Sequence, residues 1–200
     1  METELLIKIA EFLKTYGLRS ATMDDIAKHL KMSKKTLYKS FKDKTDIINQ
    51  VMGLQCQMEK GMIQEITQNS ENAIDEIIKI NNLVSKTLNS VNPSVLFDLE
   101  KYYPEAFSVF YNHKETFIAY FIEENLKRGI TEGYYRSNLN TQLITRFYLK
   151  ILEHIWSPNG DFSFTQIHSE MARYHIRGIA SEKGHQYLNQ LINTGEFNII

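Results

Sequence analysis

Seven lysines, at positions 28, 31, 34, 35, 39, 42 and 44, fall in a stretch from Ile26 to Lys44 that holds a single acid, Asp43. Thr36 and Tyr38 stand among them, so ammonium groups, a hydroxyl and a phenol follow one another closely. These are the groups that bond to the phosphates and base edges of double-stranded nucleic acid. Residues 1–50 carry ten Lys/Arg against seven Asp/Glu and residues 51–200 thirteen against seventeen, so the formal net charge of -1 joins a basic beginning to an acidic remainder. A solvated lysine face on an ordinary helical hairpin has the same composition. The spacing of the neighbouring residues has to separate the two readings.

Other chemistry lacks its parts. His168 and His175, seven apart, share a face on a continuous helix, but no further ligand stands at i, i+4 spacing, and there is no HExxH motif and no cysteine pair. These histidines are read as satisfied or exposed side chains. G-x-S-x-G, GxGxxG and P-loop patterns are absent, and Cys56 has Lys60 as its only basic neighbour at helical reach. The sequence thus predicts no catalytic residue, no metal and no cofactor. The lone cysteine fits a reducing compartment, the N-terminus is acidic where a secretory signal is basic, and the longest strongly apolar run is Phe117 to Ile122. Together they predict a cytoplasmic protein without a membrane span.

Helical punctuation dominates the chain. Leu5, Leu6, Ile9, Phe12, Leu13 and Tyr16 recur at helical spacing, and Gly17 follows where a left-handed C-cap belongs. Thr22 with Asp25 three residues later marks the start of a short second helix over about 23–31, and Ser33 caps a third that carries Leu37 and Phe41 at i, i+4. A proline-free pattern from Lys44 to about Gln68 predicts a rod nearly 40 Å long, at roughly 1.5 Å per residue. Further helices are expected at about 71–90, 94–111 with a break near Pro104, 113–132, 140–156 and 163–192, the last interrupted. The fold class is all-α: an N-terminal three-helix domain over 1–46 with a helix-turn-helix, then a larger helical domain over 47–200.

In a helix-turn-helix, Ala27 is small where the two helices meet, Ile26, Leu30 and Leu37 fill the seam, and Lys34, Lys35, Thr36, Tyr38 and Lys39 lie on the outer face. The run from Thr22 to Lys44, with Gly17, Ile26-Ala27, Ser33, Thr36-Leu37-Tyr38, Phe41 and Lys42-Asp43-Lys44 in order and at spacing, resembles the N-terminal domain of the TetR/AcrR family of bacterial transcription regulators. The resemblance implies a sequence-specific, DNA-binding, ligand-responsive repressor. It implies DNA contacts from Thr22, Ser33, Lys34, Lys35, Thr36, Tyr38, Lys39 and Lys44, with Tyr38 and Lys44 mainly on phosphates and Lys34, Thr36 and Lys39 nearer to base edges. Three positions depart from the family's habit: Lys31 where Gly is common in the turn, Ser40 where an aromatic or His is common, and Thr45 where Glu is common. If the turn keeps a positive φ, Lys31 carries strain.

For the remaining chain the resemblance implies dimerisation and a small-molecule effector. Leu143, Ile144, Phe147, Tyr148, Ile151, Leu152 and Ile155 form one apolar stripe and Phe164, Ile167, Met171 and Tyr174 another. They predict a homodimer through helices at about 140–156 and 163–180, which would space two readers one turn of a palindromic operator apart, about 34–36 Å. The same stripes also suit monomer core. Phe97, Tyr103, Phe107, Phe110, Phe117, Tyr120 and Phe121 suit either the lining of an effector site or core. A helical module whose helix-turn-helix docks a protein partner is the alternative function.

Overall fold

The computed structural model describes residues 2–92, 94–155 and 162–194. Among them every regular element is a helix, and the one β-type contact is an isolated bridge between Tyr135 and Ala180. The chain divides into two compact units: one runs up to Gly61 and takes in Ser90–His113, and the other comprises Met62–Asn89 and the chain from Lys114 onward. The segment 90–113 therefore packs with the N-terminal helices rather than with its sequence neighbours on either side.

In the first unit, α1 (Glu2–Tyr16), α2 (Met23–His29), α3 (Lys34–Ser40) and the start of α4 (Lys44–Gln68) surround one apolar core, joined by α6 (Ser94–Tyr102) and α7 (Pro104–His113). Ile9, Leu13, Ile26, Leu37, Phe41 and Ile47 are almost fully enclosed there. α1 ends because Gly17 takes a φ of +85° and its N–H bonds to Leu13 O at 2.9 Å, a conformation other residues adopt only under strain. The break near Pro104 is real: α6 stops at Tyr102 and Pro104 opens α7, where its missing N–H costs nothing.

In the second unit, α5 (Ala73–Ser90), α8 (Ala119–Thr131), α9 (Thr141–Ile155), α10 (Phe164–Ile179) and α11 (Glu182–Thr194) pack with the last turns of α4. The continuous helix expected over 113–132 is instead a π-helical turn, Lys114–Ile118, followed by α8. The interior here is partly polar. Arg128 donates to Glu76 at 3.0 Å, to Glu132 at 2.6 Å and to Ser70 O at 3.1 Å, and Thr67 donates to the second Glu76 oxygen at 2.8 Å. This network ties the end of α4 to α5 and α8. The Tyr135 hydroxyl lies 3.0 Å from both Ala73 O and Asn125 Oδ1, and its ring fits only because residue 129 is glycine, whose Cβ would stand 2.0 Å from the ring.

Candidate nucleic-acid interface

The reader is built by its caps. Thr22 Oγ1 accepts from the Asp25 N–H at 3.2 Å while the Asp25 carboxylate accepts from the Thr22 N–H at 3.0 Å, closing a capping box at the start of α2. The hydrogen bonds from Thr22 hold the Asp25 carboxyl below its ordinary pKa. Ser33 does the same for α3, its hydroxyl accepting from the Thr36 N–H at 3.1 Å and lying 2.8 Å from the Thr36 hydroxyl. Between them the chain turns through a Schellman motif: Met32 N–H bonds to Ala27 O and Lys31 N–H to Lys28 O, both at 3.0 Å. The residue at its left-handed position is Lys31, with φ of 54°. The turn thus keeps the positive φ, and the lysine adopts a conformation that glycine would take at less cost.

The seam between α2 and α3 is apolar, with Ile26, Ala27 and Leu37 buried, and Phe41 beneath the end of α3. That fixes the opposite face of α3. Lys34, Lys35, Thr36, Tyr38 and Lys39 are all exposed, on a helix that begins with three basic or hydroxyl side chains in a row. Lys34 is ion-paired with Asp24 of α2 at 2.8 Å. Lys44 is placed differently from the other seven predicted contacts. Its ammonium donates to Arg19 O at 3.0 Å and lies 6.0 Å from the centre of the Tyr103 ring, and burial lowers its pKa against the pull of Asp98 and Asp25. Arg19 is itself held by α6, through its N–H to Asp98 at 3.2 Å and its guanidinium to the Tyr102 hydroxyl at 3.2 Å. Reaching a phosphate would require Lys44 to leave this carbonyl.

Residues 6–51 match the model for bacterial regulatory proteins of the tetR family. Those residues form a helix-turn-helix domain similar to that of the bacterial tetR regulatory proteins. No curated protein sequence matches it. Among solved structures, it is similar to a TetR-family transcriptional regulator from Agrobacterium tumefaciens, with 11% identity, TM-score 0.73, and coverage of 90% of this chain and 98% of that one. It is also similar to a Saccharomonospora viridis protein solved in complex with choline (12% identity, TM-score 0.74, covering 90% and 98%). A third is the regulator FadR from Bacillus subtilis in complex with stearoyl-CoA (14% identity, TM-score 0.66, covering 88% and 98%). At these identities the likeness establishes the shared fold, an N-terminal helix-turn-helix followed by a helical body.

The seven aromatics read as core or effector lining separate into groups. In the first unit, Tyr103 is 8% exposed, Phe107 and Phe110 pack against the same core, and Phe97 is exposed beneath the Lys101 ammonium. In the second unit, the Phe117 and Phe121 rings lie 4.6 Å apart, and Tyr120, exposed, stands edge-on to Phe121. None of the seven lines the groove of about 540 Å³ along α9 and α10, which is walled by Ile144, Phe147, Ile151, Tyr174 and Ile179 over a floor of Tyr148 and His175. Phe147 is 55% and Tyr174 81% exposed on that face. Ile155 and Phe164 of the expected stripes lie outside the described side chains, and Trp156 outside the described residues.

Sequence reasoning missed the polar interior of the second unit. Asn81 and Ser85 of α5 are buried, bonded to the Tyr148 hydroxyl at 3.3 Å and to His168 Nδ1 at 3.1 Å. The signal was present: they extend the stripe begun by Ile74 and Ile78 at spacings of four, three and four, so they occupy positions where a helix turns inward. His168 and His175, expected to be satisfied or exposed, are both drawn into the interior with Nε2 of each lacking a partner, and burial lowers both pKa values to about 4. Among the described residues no three His, Cys, Asp or Glu side chains are grouped to hold a metal ion, and no helix is long and apolar enough to cross a membrane.

Proposed function

We propose that the protein is a ligand-responsive repressor that binds a palindromic operator in the cytoplasm as a homodimer and catalyses no reaction. The domain that reads DNA is 1–46, and 47–200 carries dimerisation and effector binding. The observation that carries the DNA reading is the outer face of α3, where Lys35, Tyr38 and Lys39 stand exposed on a helix whose angle is set by two side-chain caps and a Schellman turn. Thr22, Ser33, Lys34, Thr36 and Lys44 complete the contact set, with Lys44 exchanging Arg19 O for a phosphate.

The dimer reading is supported by α9 and α10. Leu143, Phe147, Ile151 and Tyr174 expose a continuous apolar face, and a soluble chain covers such a face with a partner. The effector reading is supported by two structures of the same fold solved with choline and with stearoyl-CoA. Of the seven expected aromatics, Phe117, Tyr120 and Phe121 are the ones the second unit offers such a molecule, since Tyr103, Phe107 and Phe110 are occupied in the first core. Titrating the protein in a gel shift against the DNA upstream of its own reading frame, at two salt concentrations, tests the assignment. Salt-sensitive, sequence-selective binding is expected. Absence of binding together with a stable protein complex would favour the interaction module. A monomer by analytical ultracentrifugation that still binds operator tightly would overturn the dimer, and a thermal-shift screen of small molecules finds the effector, since a ligand of the folded state raises its melting point.

A further inference from the structure

Between Thr22 and Lys44 the chain has three acids, Asp24, Asp25 and Asp43. Two of them hold backbone. Asp25 closes the capping box of α2, and Asp43 accepts from the Asp46 N–H at 2.9 Å at the start of α4. The carboxylate of Asp24 meets no backbone donor among the described residues; its Oδ1 lies 2.8 Å from Lys34 Nζ, with both side chains more than half exposed. Lys34 is the first residue of α3 and the only lysine of that helix with an ion pair among the described residues.

As a stabilising device this pair is weak, since exposed ion pairs contribute about 0–1 kcal/mol. As part of a surface meant for a polyanion it is costly, because a carboxylate repels phosphate and cancels one of the helix's cations. Its gain must lie elsewhere. Sequence-independent affinity grows with each cation free to replace a counterion on the phosphate backbone. A lysine already held by a carboxylate merely trades one exposed ion pair for another on reaching a phosphate. At a base edge the balance differs. An ammonium has three donors, so one can stay on Asp24 while the other two, now fixed in direction, meet a pair of acceptors such as O6 and N7 of guanine.

We propose that Asp24 is a positioning residue that sets the selectivity of DNA reading, by withholding the Lys34 ammonium from phosphates and holding it for a base edge. This rests on α3 being the DNA-reading helix. The test uses the full chain with Asp24→Asn, Asp24→Glu and Lys34→Ala, and measures affinity by fluorescence anisotropy across a salt series. One duplex has random sequence, and the other is selected from a randomised pool with the unsubstituted protein.

Asp24→Asn is expected to bind the random duplex roughly three- to tenfold more tightly at low salt, with a slope of log K against log salt steeper by about 0.9, as one further phosphate contact requires. The ratio of selected to random affinity falls by a similar factor, and Asp24→Glu keeps the original values. With Lys34→Ala in the background the steepening disappears. An unchanged slope in Asp24→Asn, or equal steepening without Lys34, overturns the role of Asp24 and leaves the reader assignment standing. If the unsubstituted protein binds neither duplex at low salt, the reader assignment fails and this inference fails with it.

Discussion

The two units keep their polar groups in opposite places. In the first, the core of α1 to α4 is hydrocarbon, the charged groups of α2 and α3 sit outside, placed by caps at helix ends, and Asp98 and His113 are the buried polar side chains among the described residues. In the second, a half-buried Arg128 joins buried Glu76 to half-buried Glu132, and two amides and two histidines are drawn inward, while the outer face of α9 and α10 is apolar. The contrast teaches where substitutions act. Charges on the reader can be altered with little loss of stability, because water already solvates them. In the body Glu76, Asn81, Ser85 and Asn125 are structural, because each has been desolvated and depends on its partners.

Arg128→Ala would sharpen this contrast most. It leaves Glu76, 3% exposed, without its ion-pair partner, and a loss of about 3–5 kcal/mol in chemical denaturation is expected. Arg128→Met with Glu76→Leu should recover most of that loss; if the double substitution is as damaging as the single one, the cost is packing rather than charge. Leu37→Ala follows, at about 2–5 kcal/mol, since Leu37 is fully buried at the seam of α2 and α3. It should abolish DNA binding through the fold of the reader, visible as loss of protection in amide exchange over residues 22–41.

Much of the first unit was legible because its signals are local. Gly17, Thr22 with Asp25, and Ser33 each announce a helix end through their own chemistry, and α4 runs over the range its pattern indicated. The helix-turn-helix needed no long-range information. The aromatic run from Phe97 to Phe121 was a different case. Ring type and spacing do not say which unit a ring joins, and packing divides the run at His113. The π-helical turn was equally hidden, since the unbroken apolar run from Phe117 to Ile122 covers every face of a helix and masks a shift of phase. Asn81 and Ser85 are polar residues at positions whose spacing points inward, so residue type and position disagree there.

Acid should separate the units further. His168 and His175 have an ordinary pKa of 6.5 and folded values of about 4, so the unfolded chain takes up protons first as pH falls. Their contribution to stability is whole above about pH 6.5 and is lost progressively toward pH 4, by roughly 3 kcal/mol for each ring. Replacing both with Gln should flatten the denaturation midpoint over that window; an unaltered profile would break the assignment of these rings to the interior.

The smaller effects belong to the reader. Lys39→Ala is expected to cost about 1–3 kcal/mol of operator binding and to leave the melting temperature in place, measured by anisotropy and calorimetry on the same sample. Ser33→Ala removes the cap of α3 and should cost about 1 kcal/mol of stability. A loss of operator affinity larger than that cost would mean that the Ser33 hydroxyl also touches DNA.

The π-helical turn at Lys114–Ile118 shifts the phase of everything after it. At its start Lys114 meets Glu153 at 2.7 Å, and beyond it Asn125, Leu126 and Gly129 face the interior of the same unit. One surplus residue reconciles those two demands. Deleting it would yield a more regular helix, yet it would swing Lys114 by roughly 100° about the axis relative to that interior face. At this point in the chain, the residue count matters more than residue identity: relatives of this protein will tolerate exchanges of side chain within the turn more readily than the loss of a single position.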